Sequence, residues 1–159
     1  MINSAIFGLT FAAAIGSALV GGIFFAFSTF VMAGLGRIPP EQGIAAMQSI
    51  NITVLNPLFF SAFFGTGMLC LALLAAALLN WQQPGSALLV AASLLYLVGC
   101  IGLTMAANVP LNDALAAVQP GTPEAASLWS RYLDVWTAWN HVRTVAPLAA
   151  AALFIIALI

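Results

Sequence analysis

NPLFFSAFFGTGMLCLALLAAALLNWQQPGSALLVAASLLYLVGCIGLTMAA, residues 56–107, is two apolar runs with one interruption and no charged side chain. Each run is long enough to cross a hydrocarbon layer about 30 Å thick, which takes roughly 20 helical residues. The runs are continuous rather than alternating. A lipid-embedded backbone must pair its polar groups internally, so these are helices, not strands. The interruption, Asn80-Trp81-Gln82-Gln83-Pro84-Gly85, is a tight turn with Trp81 as an interfacial anchor. An antiparallel helical hairpin follows.

The rest of the chain has the same character. No charge lies between Glu41 and Asp113, and none precedes Arg37. Three Arg and four carboxylates, with no Lys, are all the formal charge in 159 residues, and mean hydropathy is +1.12. No soluble domain of this size covers itself with so little charge, so lipid is the solvent. The expected fold is an all-α integral membrane four-helix bundle with short extramembrane helices at one end. It forms a single domain over 1–159, with spans at about 5–32, 56–79, 86–107 and 138–159. Four spans put the two longer polar stretches, 33–55 and 108–140, on the same side. Every charged residue lies in or near them. The expected location is the cell membrane, multi-pass, a bacterial inner membrane in particular. Counting positive charge near span ends puts the polar end in the cytoplasm, but three Arg are too few to fix orientation. The first apolar run is too long for a signal peptide and lacks a basic start, so no cleavage is expected. Cys70 and Cys100 lie in separate spans without a CxxC pattern and read as small buried hydrophobes.

Helices associate in lipid through small residues. The first span offers Gly8, Ala12 and Gly16 on one stripe and Ala14, Ala18, Gly22 and Ala26 on another. These suit either close neighbours within the chain or a second copy. Phe24, Phe25, Phe27 and Phe30 end the first span, and Phe59, Phe60, Phe63 and Phe64 begin the second, at similar depth. They are lipid-facing or core aromatics, or, with Phe27 and Phe60 as representatives, the wall of a site for a flat apolar molecule.

Polar residues within this setting cost free energy and invite a reason. Gln48 and Asn51 sit at the mouth of the bundle. Asn56, before Pro57, is an N-cap or a ligand-facing amide. Asn108-Val109-Pro110-Leu111-Asn112-Asp113 ends the third span, where Pro110 is expected to break the ladder and where Asn108 and Asn112 exceed what one cap requires. From Glu124 the chain reads as helical to its end, kinked near Pro147. Across its membrane boundary runs Trp136-Thr137-Ala138-Trp139-Asn140-His141-Val142-Arg143-Thr144. At about 100° per residue, Trp136, Asn140 and Arg143 share a face with Trp139 at its edge, while His141 points about 160° from Arg143. Trp136 and Trp139 alone fit an interfacial belt, and Arg143 alone could snorkel. An amide, an imidazole and a guanidinium together are harder to explain that way.

A metal centre usually needs several His, Cys or carboxylate ligands at suitable spacing, and this sequence has one His and no such cluster, so no metal and no cofactor are expected. Haem on His141 and a bound quinone are the fallback options. No phosphate-binding glycine loop or Ser-His-Asp set occurs, and no carboxylate or amine lies within the first three spans to pass protons across. Proton transfer by one imidazole, with Asn140 and Arg143 stabilising an anion, is what the residues leave.

The motif Trp136-x-x-Trp139-Asn140-His141-Val142-Arg143-Thr144, the segment Asn108-Val109-Pro110-Leu111-Asn112 and the pair Asn51 and Asn56-Pro57 together resemble a family of small four-helix membrane proteins. That family was long catalogued as a domain of unknown function and includes anthrone oxygenase-like proteins of polyketide pathways. The resemblance covers essentially the whole chain. It implies oxidation of an activated tricyclic phenol by O₂: His141 as base, Asn140, Arg143 and Asn112 holding the enolate or peroxide oxygen, and Trp136, Trp139, Phe27 and Phe60 with the amides Asn51, Asn56 and Asn108 around the rings. The implied partners are the bilayer, a hydrophobic small molecule and a second copy or larger complex, not nucleic acid. The rival reading is a non-catalytic membrane subunit, or a lipid-, quinone- or haem-binding protein that stabilises a larger complex.

Overall fold

The computed structural model describes residues 4–159, and no strand occurs among them. Five helices follow in order: α1 (Ser4–Leu35), α2 (Pro40–Thr53), α3 (Pro57–Leu79), α4 (Ser86–Ala116) and α5 (Pro123–Ala157). All but α2 are long and apolar enough to cross a membrane. The chain is all-α, as its composition requires, and fits a multi-pass membrane protein. The long helices pack pairwise: α1 on α5, α5 on α4, α4 on α3, and α3 on α1.

Local chemistry sets the helix ends. Asn56 Oδ1 accepts from the Phe59 N–H at 3.0 Å and caps α3, with Pro57 in the first turn where no N–H is needed. Gly85 takes φ +85°, a left-handed conformation glycine adopts without a Cβ clash, and the Ser86 hydroxyl donates to the Asn80 carbonyl at 2.9 Å to clasp the α3–α4 turn. Thr122 Oγ1 caps α5 by accepting from the Ala125 N–H at 3.2 Å.

Two cores result. One lies inside the spanning region, built on Val20, Phe24, Phe63, Leu73, Tyr96 and Phe154. The other lies under α2 at the polar end, built on Met32, Ile44, Met47, Leu115, Trp129, Tyr132 and Trp136. Gln48 ties the two polar stretches together by donating to the Leu115 and Val118 carbonyls at 2.8 and 3.0 Å, in the last turn of α4 and just past it. At 35 residues, α5 is about 52 Å long, some 20 Å more than the hydrocarbon layer. Its first turns therefore stand beyond the bilayer and carry the second core.

Two sequence expectations are corrected. The small-residue stripes of α1 hold only in part: Ala14 is buried and Gly16 lies so close to the Thr66 side chain of α3 that a Cβ would collide with it, but Gly8, Ala12, Ala18 and Gly22 are exposed, and the buried line is Thr10, Ala13, Ala14, Ser17, Val20, Gly21 and Phe24. Nor does Pro110 end α4. The helix widens into π turns over Leu97–Gly102 and Thr104–Asn108, with the Val109 N–H bonding the Thr104 carbonyl five residues back. Pro110 has no N–H to offer, and the wider ladder just before it carries the helix on to Ala116. Cys70 and Cys100 are buried and free, as read.

Gly99 marks a close α4–α5 approach. A Cβ there would sit 2.6 Å from the Ala146 Cβ, and neither atom can rotate away. Gly99→Ala therefore forces the backbones apart. We expect a loss of about 1–3 kcal/mol, read as a lower thermal midpoint in detergent, despite alanine's better helix propensity.

Candidate functional site: a buried cation in an amide network

Arg143 is 4 % exposed, although it projects from the lipid-crossing part of α5. Its guanidinium carbon lies 4.4 Å from the Phe24 ring centroid and 4.9 Å from that of Trp136, between an α1 ring and an α5 ring. Each face-on contact favours the cation by about 2 kcal/mol when desolvated. Nη2 donates to Asn140 Oδ1 at 2.8 Å, and Nη1 to Thr104 Oγ1 at 3.3 Å. Nε has no partner. The carboxylates Glu41, Asp113, Glu124 and Asp134 are all exposed, and none forms an ion pair with Arg143 among the described residues. A buried guanidinium with a free donor and no counter-ion is costly, and such a charge inside a membrane protein marks a functional position.

The surroundings hold it in one orientation. Asn140, fully buried, spends its amide nitrogen on the Phe24 carbonyl and on Ser28 Oγ, both at 2.8 Å, which leaves Oδ1 for Arg143. Ser28 Oγ in turn meets Thr144 Oγ1 at 2.9 Å, and Thr144 donates to the Asn140 carbonyl. Thr104 donates to the Cys100 carbonyl at 2.8 Å, so its oxygen faces Arg143 as an acceptor. Pro147, inside α5, has no N–H for the Arg143 carbonyl four residues back. Thus α1, α4 and α5 all contribute.

One helical turn toward the polar end, α4 and α5 are joined by two amides. Asn108 is fully buried and donates from Nδ2 to the Trp136 carbonyl at 3.1 Å, while its Oδ1 has no partner. Asn112 Oδ1 accepts from the Tyr132 hydroxyl at 2.7 Å and from Trp136 Nε1 at 2.8 Å. Trp129, Tyr132 and Trp136 stack along α5 with centroids 5.6 Å apart at each step. Asn51 from α2 brings a buried Nδ2, without a hydrogen bond of ordinary geometry, toward the same Tyr132 hydroxyl.

All three π turns of the described chain are at this level. Phe27–Val31 in α1 contains Ser28, Leu97–Gly102 in α4 contains Cys100, and Thr104–Asn108 contains both Thr104 and Asn108. Wide turns recur at functional sites because they re-aim side chains that a regular helix would point elsewhere.

The structure therefore brings together Arg143, Asn140, Trp136, Asn108, Asn112, Asn51 and Phe27, whose ring lies 5.9 Å from that of Trp136. It sets four candidates apart. His141 is exposed on the other side of α5, as the angular argument required. Trp139 is 42 % exposed and Phe60 39 % exposed, and Phe60 pairs with Phe64. Asn56 uses its side chain to cap α3 and to donate to the Thr53 carbonyl at 3.0 Å. Sequence reasoning missed Ser28, Thr104 and Tyr132 as members of the network. Their signal was a hydroxyl in an otherwise apolar or aromatic face, visible only once neighbouring helices are known. Among the described residues, no three His, Cys, Asp or Glu side chains gather into a metal-ligand set.

These features define a helical membrane protein with a polar centre, rich in donors, around one unneutralised cation. The family model for anthrone oxygenase matches residues 58–153, more than half of the chain, and the chain belongs to that family. The match spans α3, α4 and most of α5, and so contains Thr104, Asn108, Asn112, Trp136, Asn140 and Arg143. No curated protein and no solved structure matches the chain.

Proposed function

We propose that the protein is a membrane oxygenase of flat, hydrophobic phenols of the anthrone type, its four spans forming a four-helix bundle in a bacterial cell membrane. The observation that carries this reading is the Arg143 guanidinium: buried, oriented by Asn140 and Thr104, clamped between Phe24 and Trp136, with Nε unengaged and no carboxylate beside it. A fixed positive group of that kind favours an oxyanion over its neutral parent. An anthrone that loses a proton from its ring CH₂ becomes an enolate whose negative oxygen Arg143 would hold. The electron-rich carbon then reduces O₂. One electron passes to O₂, the radical pair joins to form a C–O bond, and the resulting hydroperoxide loses water to leave a second carbonyl. Substrate and O₂ thus give quinone and one water. The first proton goes to water at the polar end and one returns from there to the peroxide anion to make the hydroperoxide, with His141 facing away from the cluster. The aromatic rings around Arg143 supply an apolar surface for a substrate drawn from the membrane.

The test is oxygen consumption by the protein in nanodiscs supplied with an anthrone. Quinone should form in a one-to-one ratio with O₂ consumed, well above the autoxidation measured with empty nanodiscs. No excess uptake sinks the reading, and co-purification of a stable protein partner in that case would favour a subunit role. His141→Ala should change kcat/KM by less than about threefold, against the ~100-fold or more that removing a general base costs.

A further inference from the structure

The network has a second unspent atom besides Arg143 Nε, of opposite hydrogen-bonding character. Asn108 is 0 % exposed, and its Oδ1 has no partner. Its orientation is fixed, because Nδ2 donates to the Trp136 carbonyl at 3.1 Å. Turning the amide over would face two carbonyl oxygens at that distance. The free atom is therefore an acceptor and cannot become a donor. Asn108 and Thr104, the residue holding Arg143 Nη1, occupy the same π turn of α4. Trp136 links both sides: its carbonyl holds Asn108 and its ring lies under the guanidinium. A buried acceptor left unpaired costs about 1–3 kcal/mol, which a ligand bringing a donor would recover.

We propose that Asn108 is a specificity residue of this site, its Oδ1 accepting a hydrogen bond from a neutral hydroxyl on the same ligand whose oxyanion Arg143 holds. This rests on the reading of Arg143 as the anion holder. Arg143 rewards negative charge and rejects nothing that carries it. Asn108 rejects ligands that place an ether or a bare ring carbon against it, because desolvated Oδ1 then stays unpaired. The pair reads one anionic oxygen and one hydroxyl, and so selects polyphenols over monophenols.

The experiment takes singly hydroxylated anthrones, one for each ring position, each beside its O-methyl ether. With the unaltered protein, at least one position should show a hydroxyl-over-ether preference in kcat/KM on the order of 100-fold. Asn108→Leu should cut that preference to about threefold or less, with the hydroxylated member losing more than its ether. Asn108→Ala serves the same purpose should Asn108→Leu fail to fold. A preference that survives both substitutions overturns the proposal, and so does an equal slowing of both members, which is what a purely structural role gives. Calorimetric binding of the same pairs needs no turnover. Failure of the oxygenation reading would therefore appear as binding without O₂ uptake, and failure of this proposal as binding or turnover blind to the hydroxyl.

Discussion

Arg143→Met is expected to lower kcat/KM on an anthrone by at least about 100-fold while leaving the thermal midpoint unchanged or higher. The two halves have one cause. Removing a fixed donor aimed at a developing oxyanion costs about 10²–10³ in rate. Replacing an unpaired buried charge by an apolar chain of similar size removes a desolvation penalty, and such exchanges are often neutral or stabilising by about 1–4 kcal/mol. Asn140 Oδ1 and Thr104 Oγ1 lose a donor and the Phe24 and Trp136 rings lose the cation, which offsets part or all of that gain. A residue kept for packing would behave in the opposite way, losing stability first and activity through it. Arg143→Lys makes a second comparison. It keeps the charge but not the planar fork that meets Asn140 and Thr104 at once, nor the stacking between Phe24 and Trp136. Turnover near the unaltered level in Arg143→Met, measured as O₂ consumption in nanodiscs, would remove the cation from the reaction.

Asn112→Leu is expected to destabilise the protein by about 2–5 kcal/mol. One oxygen, Asn112 Oδ1, serves two buried donors, the Tyr132 hydroxyl and Trp136 Nε1. Leucine keeps the approximate volume and leaves both donors without an acceptor, each costing about 1–3 kcal/mol. Because these groups join α4 to α5 above Arg143, the loss should also loosen the Trp136 ring. The check is denaturant or thermal unfolding of the variant beside Asn112→Leu/Tyr132→Phe. The double variant should recover part of the loss, since it deletes one of the two orphaned donors, the Tyr132 hydroxyl. Equal stabilities of the two variants would show that the Tyr132 bond carries no weight.

Much of this was legible in the sequence because lipid imposes simple arithmetic. A run without charge over residues 56–107, broken once at Pro84-Gly85, can only be helices in a membrane. An even number of spans then brings Asn51 and Asn112 to the same end, where Gln48 is found tying α2 to α4. The 100° rule placed Trp136, Asn140 and Arg143 on one face and His141 away from it, and the buried positions of α5 follow that rule. What the sequence did not yield has a physical reason in each case. The face of α1 that packs could not be chosen from glycine and alanine alone, because Gly8 and Gly22 are as small as Gly21 and differ only in having no neighbour. Ser28 and Thr104 were invisible because their value lies in partners on another helix, Asn140 for Ser28 and Arg143 for Thr104. Asn108 and Asn112 were recognised as an excess of amides beside Pro110, yet their aim at α5 depends on turns that a 3.6-residue period does not describe.

Those turns have an evolutionary reading. A π turn holds one residue more than the α turn it replaces, so each of the three is in effect an accepted single-codon insertion. Its mark is an angular offset of everything downstream by about 100°. In α4 two offsets come in succession, ahead of Asn112 and its two donors. A lineage that lost one residue between Thr104 and Asn108 would keep its hydropathy, its length to within a residue and its place in the membrane. It would nonetheless swing the Asn112 amide off Tyr132 and Trp136. Gaps in this short segment, rather than substitutions elsewhere, are therefore where relatives with a dismantled or repurposed centre should first be sought.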